Sequence, residues 1–178
     1  MPRLFTGLEI PPDVTAALQG YRGGLPGARW VDSENYHVTL RFIGDIDEGT
    51  AREVEASLAE MRPRGPVTLT LDRLEAFGGS RPRAVFARVV PDPALSELQA
   101  EQESRMRQVG LKPEARRFTP HVTLARMRDA SSAAVAAYIA SHGAFQPLTF
   151  TAERFALYSA KASTGGGPYL VEAAYPLI

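Results

Sequence analysis

The tetrapeptide His37-Val38-Thr39-Leu40 occurs a second time, unchanged, as His121-Val122-Thr123-Leu124. The copies stand a little under half the chain apart, and the only other histidine is His142. Imidazole has an unperturbed pKa of about 6.5, so near neutrality one ring can be neutral and another protonated. Two imidazoles at one site can therefore divide a proton transfer. One accepts a proton from an attacking water, and the other gives a proton to the leaving oxygen. Two threonine hydroxyls beside them can donate to non-bridging oxygens as negative charge develops. This set suits phosphodiester chemistry and requires no metal. Neither copy carries a second His, Asp or Glu at ligand spacing. A lone histidine on a strand is more often structural. In a duplicated motif, Val and Leu already account for the core, and nothing structural demands His in both copies.

Each motif must be a strand for this to work. Side chains alternate between the two faces of a strand. His37 and Thr39 then face one way, and Val38 and Leu40 the other; His121, Thr123, Val122 and Leu124 divide likewise. If the two halves pack about a pseudo-two-fold axis, the His/Thr faces meet in a cleft. Strict alternation also puts Arg41 on the face of His37, and Phe42 with Val38 and Leu40 in the core. It turns Arg126, five positions after His121, away from the cleft unless the strand ends or bulges near Ala125.

The surrounding pattern supports two similar halves. Residues 3–10 read as a buried strand, and Pro11-Pro12-Asp13 opens a helix to about Tyr21. After glycine-rich breaks and a short strand at 29–31 comes the first motif strand, 36–43, stopped at Gly44. A helix over 48–61 and a strand over 67–77 complete the half. The order restarts with a strand at 84–90, Pro91-Asp92-Pro93 and a helix over 94–109 stopped by Gly110. The second motif strand follows at 121–126, then an alanine-rich helix capped by Ser131 or Ser132 and running to about His142. A long strand over 148–159, a glycine turn and a last strand over 169–175 finish the chain. The expectation is an α+β fold in one domain, 1–178, with pseudo-repeats of about 1–80 and 81–178.

Composition sets bounds. The chain has 178 residues, no cysteine and a net charge of zero. The length suits a single core, since such cores stop growing near roughly 250–300 residues. The absence of cysteine excludes disulfides, thiolate nucleophiles and cysteine-ligated zinc. Zero net charge means that no global field draws the chain to a polyanion, so any such binding needs a local patch. No apolar run approaches the roughly 18 residues of a membrane span. A soluble cytoplasmic protein with no membrane partner is expected.

Other residues offer weaker signals. Lys112, Arg116, Arg117, Arg126 and Arg128 cluster around the second motif and could track RNA phosphates, or form a solvated loop. Phe42, Phe118 and Tyr158 could stack on a base. The stretch Ser163-Thr164-Gly165-Gly166-Gly167 lacks the Lys-Ser/Thr ending of a phosphate-binding loop and reads as a hairpin turn. His142 falls at a helix end, where a positive charge is favoured.

Paired H-x-T motifs on strands half a chain apart resemble the two-histidine phosphoesterase superfamily. The flanks narrow the resemblance: Arg3-Leu4-Phe5 with Pro11-Pro12, Asn35-Tyr36 before the first motif with Arg41-Phe42-Ile43-Gly44 after it, Pro120 before the second with Ala125-Arg126 after it, and Phe155-Ala156-Leu157-Tyr158-Ser159. Together they are similar to the bacterial and archaeal RNA 2′,3′-cyclic phosphodiesterase family, also known as 2′-5′ RNA ligase. The resemblance implies a bilobal fold of two antiparallel sheets facing a central cleft, with helices outside. It implies a monomer that hydrolyses a 2′,3′-cyclic phosphate on RNA or a nucleotide to a 2′-phosphate, with no cofactor and no metal, and with ligation as the reverse chemistry. It implies His37 as general acid and His121 as general base. Thr39, Thr123 and Arg126 would hold phosphate; Arg41, placed by strand alternation and not by the resemblance, would add a charge to the cleft or sit at its rim. A 2′,5′-oligoadenylate or small cyclic nucleotide is an alternative substrate, and a non-catalytic nucleotide- or RNA-binding module is an alternative role.

Overall fold

Side-chain caps start three of the helices where the sequence places them. The structure, a computed structural model, describes residues 3–160 and 168–178. Pro12 sits in the first turn of α1 (Pro12–Gln19), where a missing N–H does no harm. The Asp47 carboxylate accepts from the Thr50 backbone N–H at 2.7 Å and opens α2 (Glu48–Ala59). Asp92 accepts from Leu95 N–H at 3.1 Å to open α3 (Pro93–Val109), which Gly110 ends at φ 109°, a left-handed conformation that favours glycine. Ser131 accepts from Ala134 N–H at 3.0 Å and opens α4 (Ser132–Ser141).

The strands are β1 (Arg3–Glu9), β2 (Arg29–Trp30), β3 (His37–Asp45), β4 (Val67–Phe77), β5 (Ala84–Val89), β6 (His121–Arg126), β7 (Leu148–Ala152), β8 (Arg154–Ala160) and β9 (Tyr169–Pro176). Their pairings are all antiparallel, in the order β7-β4-β5-β6-β3-β1-β8-β9, with β2 on β6. Read in reverse, the order is unchanged when β1 and β5, β3 and β6, β4 and β8, and β7 and β9 are exchanged. β4 pairs with β5 and β7, and β8 with β1, so each half lends a strand to the other half's strands. A division near residue 80 separates repeats of pattern, not packed units.

Two expectations need correction. The described strands form one sheet rather than two, because the motif strands β3 and β6 touch at a single bridge, Val38 opposite Val122, and separate on either side of it. The run over 148–159 is not one strand. It breaks at Glu153, where β7, paired with β4, gives way to β8, paired with β1 at the far end of the order. One residue spans at most about 3.6 Å. The two ends of the strand order must therefore converge there. Leu177 N–H donates to the Glu153 carbonyl at 2.8 Å, and Gly65 N–H to the Leu177 carbonyl at 2.7 Å, which ties this junction to the start of β4. The first motif strand also continues past Gly44, which adopts φ 90°, to Asp45.

The sheet has two unlike faces. Val38, Leu40, Val122 and Leu124 belong to one large cluster with Leu18 of α1, Leu58 of α2, Leu98 of α3 and Val135 of α4. Helix burial thus lies on the Val/Leu side of the motifs. A second, small cluster of Phe5, Ala156 and Tyr158 packs beside His37.

Candidate active site

The same irregularity occurs in both motif strands. Gly7 of β1 lies opposite Thr39 and Thr6 opposite Arg41, so Leu40 is an extra residue. Phe86 of β5 lies opposite Thr123 and Val85 opposite Ala125, so Leu124 is an extra residue. A bulge of this kind reverses the alternation beyond it. Leu40 and Arg41 are both buried and Phe42 emerges; Leu124 and Ala125 are both buried and Arg126 emerges.

This settles the position of three side chains. Arg126 stands on the histidine side, close enough for its charge to act on both His37 and His121. It has no ion-pair partner among the described residues. Arg41 does not share the face of His37. It is buried, pairs with Glu103 at 2.5 Å and donates to the carbonyls of Lys112, at 2.6 Å, and of Phe42. Phe42, expected in the core, is 41% exposed. Phe118 is half-buried and packs against the large core cluster.

Each histidine is fixed by the carbonyl two residues before it. His37 Nδ1 lies 2.8 Å from the Asn35 carbonyl, and His121 Nδ1 lies 2.6 Å from that of Thr119. A carbonyl only accepts, so Nδ1 carries the proton in each and Nε2 is left as the acceptor. The Thr39 hydroxyl donates to His37 Nε2 at 2.9 Å. Aromatic rings wall both imidazoles. Phe5, Tyr169 and Tyr158 lie 4.8, 5.0 and 5.7 Å from His37 between ring centres. Phe77 and Phe86 lie 4.9 and 5.0 Å from His121. Tyr158 is buried, and burial raises its phenol pKa.

Gly7 lets β1 pass beneath His37. A Cβ there would sit 2.8 Å from the Val38 carbonyl oxygen, 3.2 Å from the Tyr158 ring and 3.6 Å from the His37 ring. The nearest of these is backbone and cannot rotate away. Gly7→Ala is expected to destabilise the fold by about 1–3 kcal/mol, the usual range for overpacking. A lower urea midpoint checks this, and an unchanged midpoint would contradict it.

The electrostatics depart from the simple expectation of one charged and one neutral ring. Burial, the neighbouring His121 and Arg126 lower the His37 pKa to about 4. Burial and Arg126 also lower that of His121. At neutral pH both rings are therefore neutral in the free protein, and a bound phosphate anion must favour the missing proton. Folding stability follows from the same shift. Between about pH 6.5 and pH 4 the unfolded chain binds a proton at His37 that the folded chain does not, so stability falls as pH falls through this window. The size is up to about 3 kcal/mol. His37→Gln is expected to lose less stability than the parent between pH 7 and pH 4.5, as read from denaturation midpoints.

The remaining residues divide plainly. Lys112, Arg116, Arg117 and Arg128 are exposed, with Arg116 3.4 Å from Glu114. His142 caps α4 and meets the rings of Tyr21 and Tyr138, away from the motif strands. The Ser163-to-Gly167 stretch lies outside the described residues. Among the described residues, no three His, Cys, Asp or Glu side chains gather as a metal site, and no helix is long and apolar enough to cross a membrane. Sequence reasoning missed Phe5, Gly7, Phe77 and Phe86. Gly7, a glycine inside a strand, was the available signal, because such a residue marks a bulge or a close approach.

A family model of the 2′-5′ RNA ligase superfamily matches residues 10–164. The chain is 28% identical over 164 residues to an RNA 2′,3′-cyclic phosphodiesterase of Bacillus subtilis (strain 168), covering 88% of this chain and 87% of that one. It is 38% identical over 109 residues to an RNA 2′,3′-cyclic phosphodiesterase of Aeropyrum pernix, covering 60% of this chain and 61% of that one. The crystal structure of E. coli LigT complexed with 3′-AMP superposes with a TM-score of 0.79 at 25% identity, covering 99% of each chain.

Proposed function

The chain belongs to the 2′-5′ RNA ligase superfamily, and we propose that it is an RNA 2′,3′-cyclic phosphodiesterase that opens the cyclic phosphate to a 2′-phosphate. The observation that carries the reading is the setting of His37 and His121. Both present a neutral Nε2 from matching bulged strands, with Arg126, which has no ion-pair partner among the described residues, acting on both.

The reaction follows from these groups. Arg126, Thr39 and Thr123 hold the non-bridging oxygens. His121 Nε2 takes a proton as water forms a bond to phosphorus. His37, protonated once the anion is bound, releases its proton to O3′ as the P–O3′ bond breaks. The ring assignment rests on the family resemblance. The products are a 2′-phosphate and a 3′-hydroxyl, with the proton now on His121; exchange with solvent restores the starting state. Replacing water with an RNA 5′-hydroxyl gives the ligation direction. Each chain supplies both motifs, so a monomer suffices, and the cytoplasm is the proposed compartment.

The test is product analysis on an oligoribonucleotide ending in a 2′,3′-cyclic phosphate, with and without EDTA. A 2′-phosphate at an undiminished rate in EDTA is expected. A 3′-phosphate product, or activity abolished by EDTA and restored by a divalent cation, would overturn the mechanism. A substrate panel including 2′,5′-oligoadenylate and small cyclic nucleotides separates the alternative substrates.

A further inference from the structure

The two tetrapeptides are identical, so by themselves they give a bound phosphodiester no direction. The residues opposite them do. Glu9 of β1 is paired with His37, and Arg88 of β5 is paired with His121. The neighbouring pairs, Leu8 with Val38 and Ala87 with Val122, show that Glu9 and Arg88 occupy equivalent positions. Directly opposed residues of an antiparallel pair share a face. Both side chains therefore stand on the histidine side of the sheet, and their charges are opposite.

Their partners differ as well. Glu9 is clamped by Arg154 through two hydrogen bonds, at 2.6 and 2.9 Å. Its charge is matched within that pair. Arg88 is held only by a 3.5 Å contact to Asp72 Oδ1, an oxygen with no hydrogen bond of its own, and makes no hydrogen bond among the described residues. Its guanidinium is partly exposed and keeps N–H donors free on the face of the sheet that carries His121. Both positions thus carry an ion pair, closed at Glu9 and loose at Arg88, and Arg126 adds a further positive charge on the strand of His121.

We infer that Arg88 binds the backbone phosphate just upstream of the terminal nucleotide of an RNA and thereby sets the direction in which the chain leaves the site. The inference rests on the phosphodiesterase reading above. The cyclic phosphate is one anion, and Arg126 and the two threonines serve it. The next charge on an RNA end is the phosphate on the 5′ side of the terminal ribose. A guanidinium fork suits such a group, whereas the equivalent position beside His37 holds a carboxylate and its Arg154 is already taken up by that carboxylate.

The test compares two substrates with the same terminal base: a nucleoside 2′,3′-cyclic phosphate with a free 5′-hydroxyl, and an oligoribonucleotide with a 2′,3′-cyclic end. In Arg88→Gln, KM for the oligonucleotide is expected to rise about tenfold, with kcat held and the log–log salt slope of binding reduced by about one. KM for the mononucleoside should not move. Arg88→Lys, which keeps the charge, should recover most of the loss; a purely structural role would not give that recovery together with substrate dependence. An equal change on both substrates, or none on either, overturns the inference. If the parent protein turns over neither substrate, the phosphodiesterase reading fails instead. The subsite is then judged by binding alone: Arg88→Gln must weaken a 2′-phosphate-ended oligonucleotide about tenfold and leave a nucleoside 2′-phosphate unchanged, and any other pattern refutes it.

Discussion

Replacing His37 or His121 with alanine is expected to lower kcat on a 2′,3′-cyclic phosphate by about 10³-fold, within the range for loss of a positioned acid or base. Each ring is held through Nδ1 to a backbone carbonyl, so its Nε2 has a fixed direction that water in its place would lack. The effects should not add. Once one proton carrier is gone, the transfer the other performs is no longer matched, so the double variant should be little slower than the worse single. The aromatic walls make alanine leave a void, and a folding defect could imitate a catalytic one. His37→Asn and His121→Asn are the controls. They fill much of the space and can donate an amide N–H to the same carbonyl, yet cannot carry a proton near neutrality. Asparagine variants as inactive as the alanine variants, with native circular dichroism, are expected. Near-wild-type turnover in any of the four would sink the acid–base assignment.

The parts of this site that were legible in the sequence are those written within a single strand. His-Val-Thr-Leu announces its two faces by alternation, and Val38, Leu40, Val122 and Leu124 are indeed core. The cap at Ser131 is a local signal too, acting on the N–H three residues ahead. The errors arise where a strand's behaviour is set by a partner distant in the chain. The extra residues Leu40 and Leu124 exist only relative to β1 and β5, and no spacing within the motif reveals them. Arg41 is buried because Glu103 and the Lys112 carbonyl receive its guanidinium, and these lie far along the chain on α3 and the loop after it. The break at Glu153 is of the same kind. The run around it favours a strand throughout, and only the demand that its two ends pair with strands at opposite ends of the order divides it.

Arg126→Gln is expected to slow the reaction by about 10²–10³-fold, the scale seen when one preorganised donor to a developing oxyanion is lost. The more telling result is the pH dependence. The Arg126 charge disfavours the imidazolium form of both histidines. Removing it raises both pKa values, so the His37 midpoint should climb from about 4 and the His121 midpoint should climb with it. The kcat/KM profile needs one protonated and one neutral ring, so its whole bell should move to higher pH while its height falls. Arg126→Lys separates the two contributions. A lysine keeps the charge but not the planar fork, so its profile should fall in height and stay in place. If the profile of Arg126→Gln stays in place, Arg126 does not face both imidazoles as described. The bulge at Leu124 would then not have the consequence assigned to it, because only the reversal there brings the fifth residue after His121 round to the histidine side.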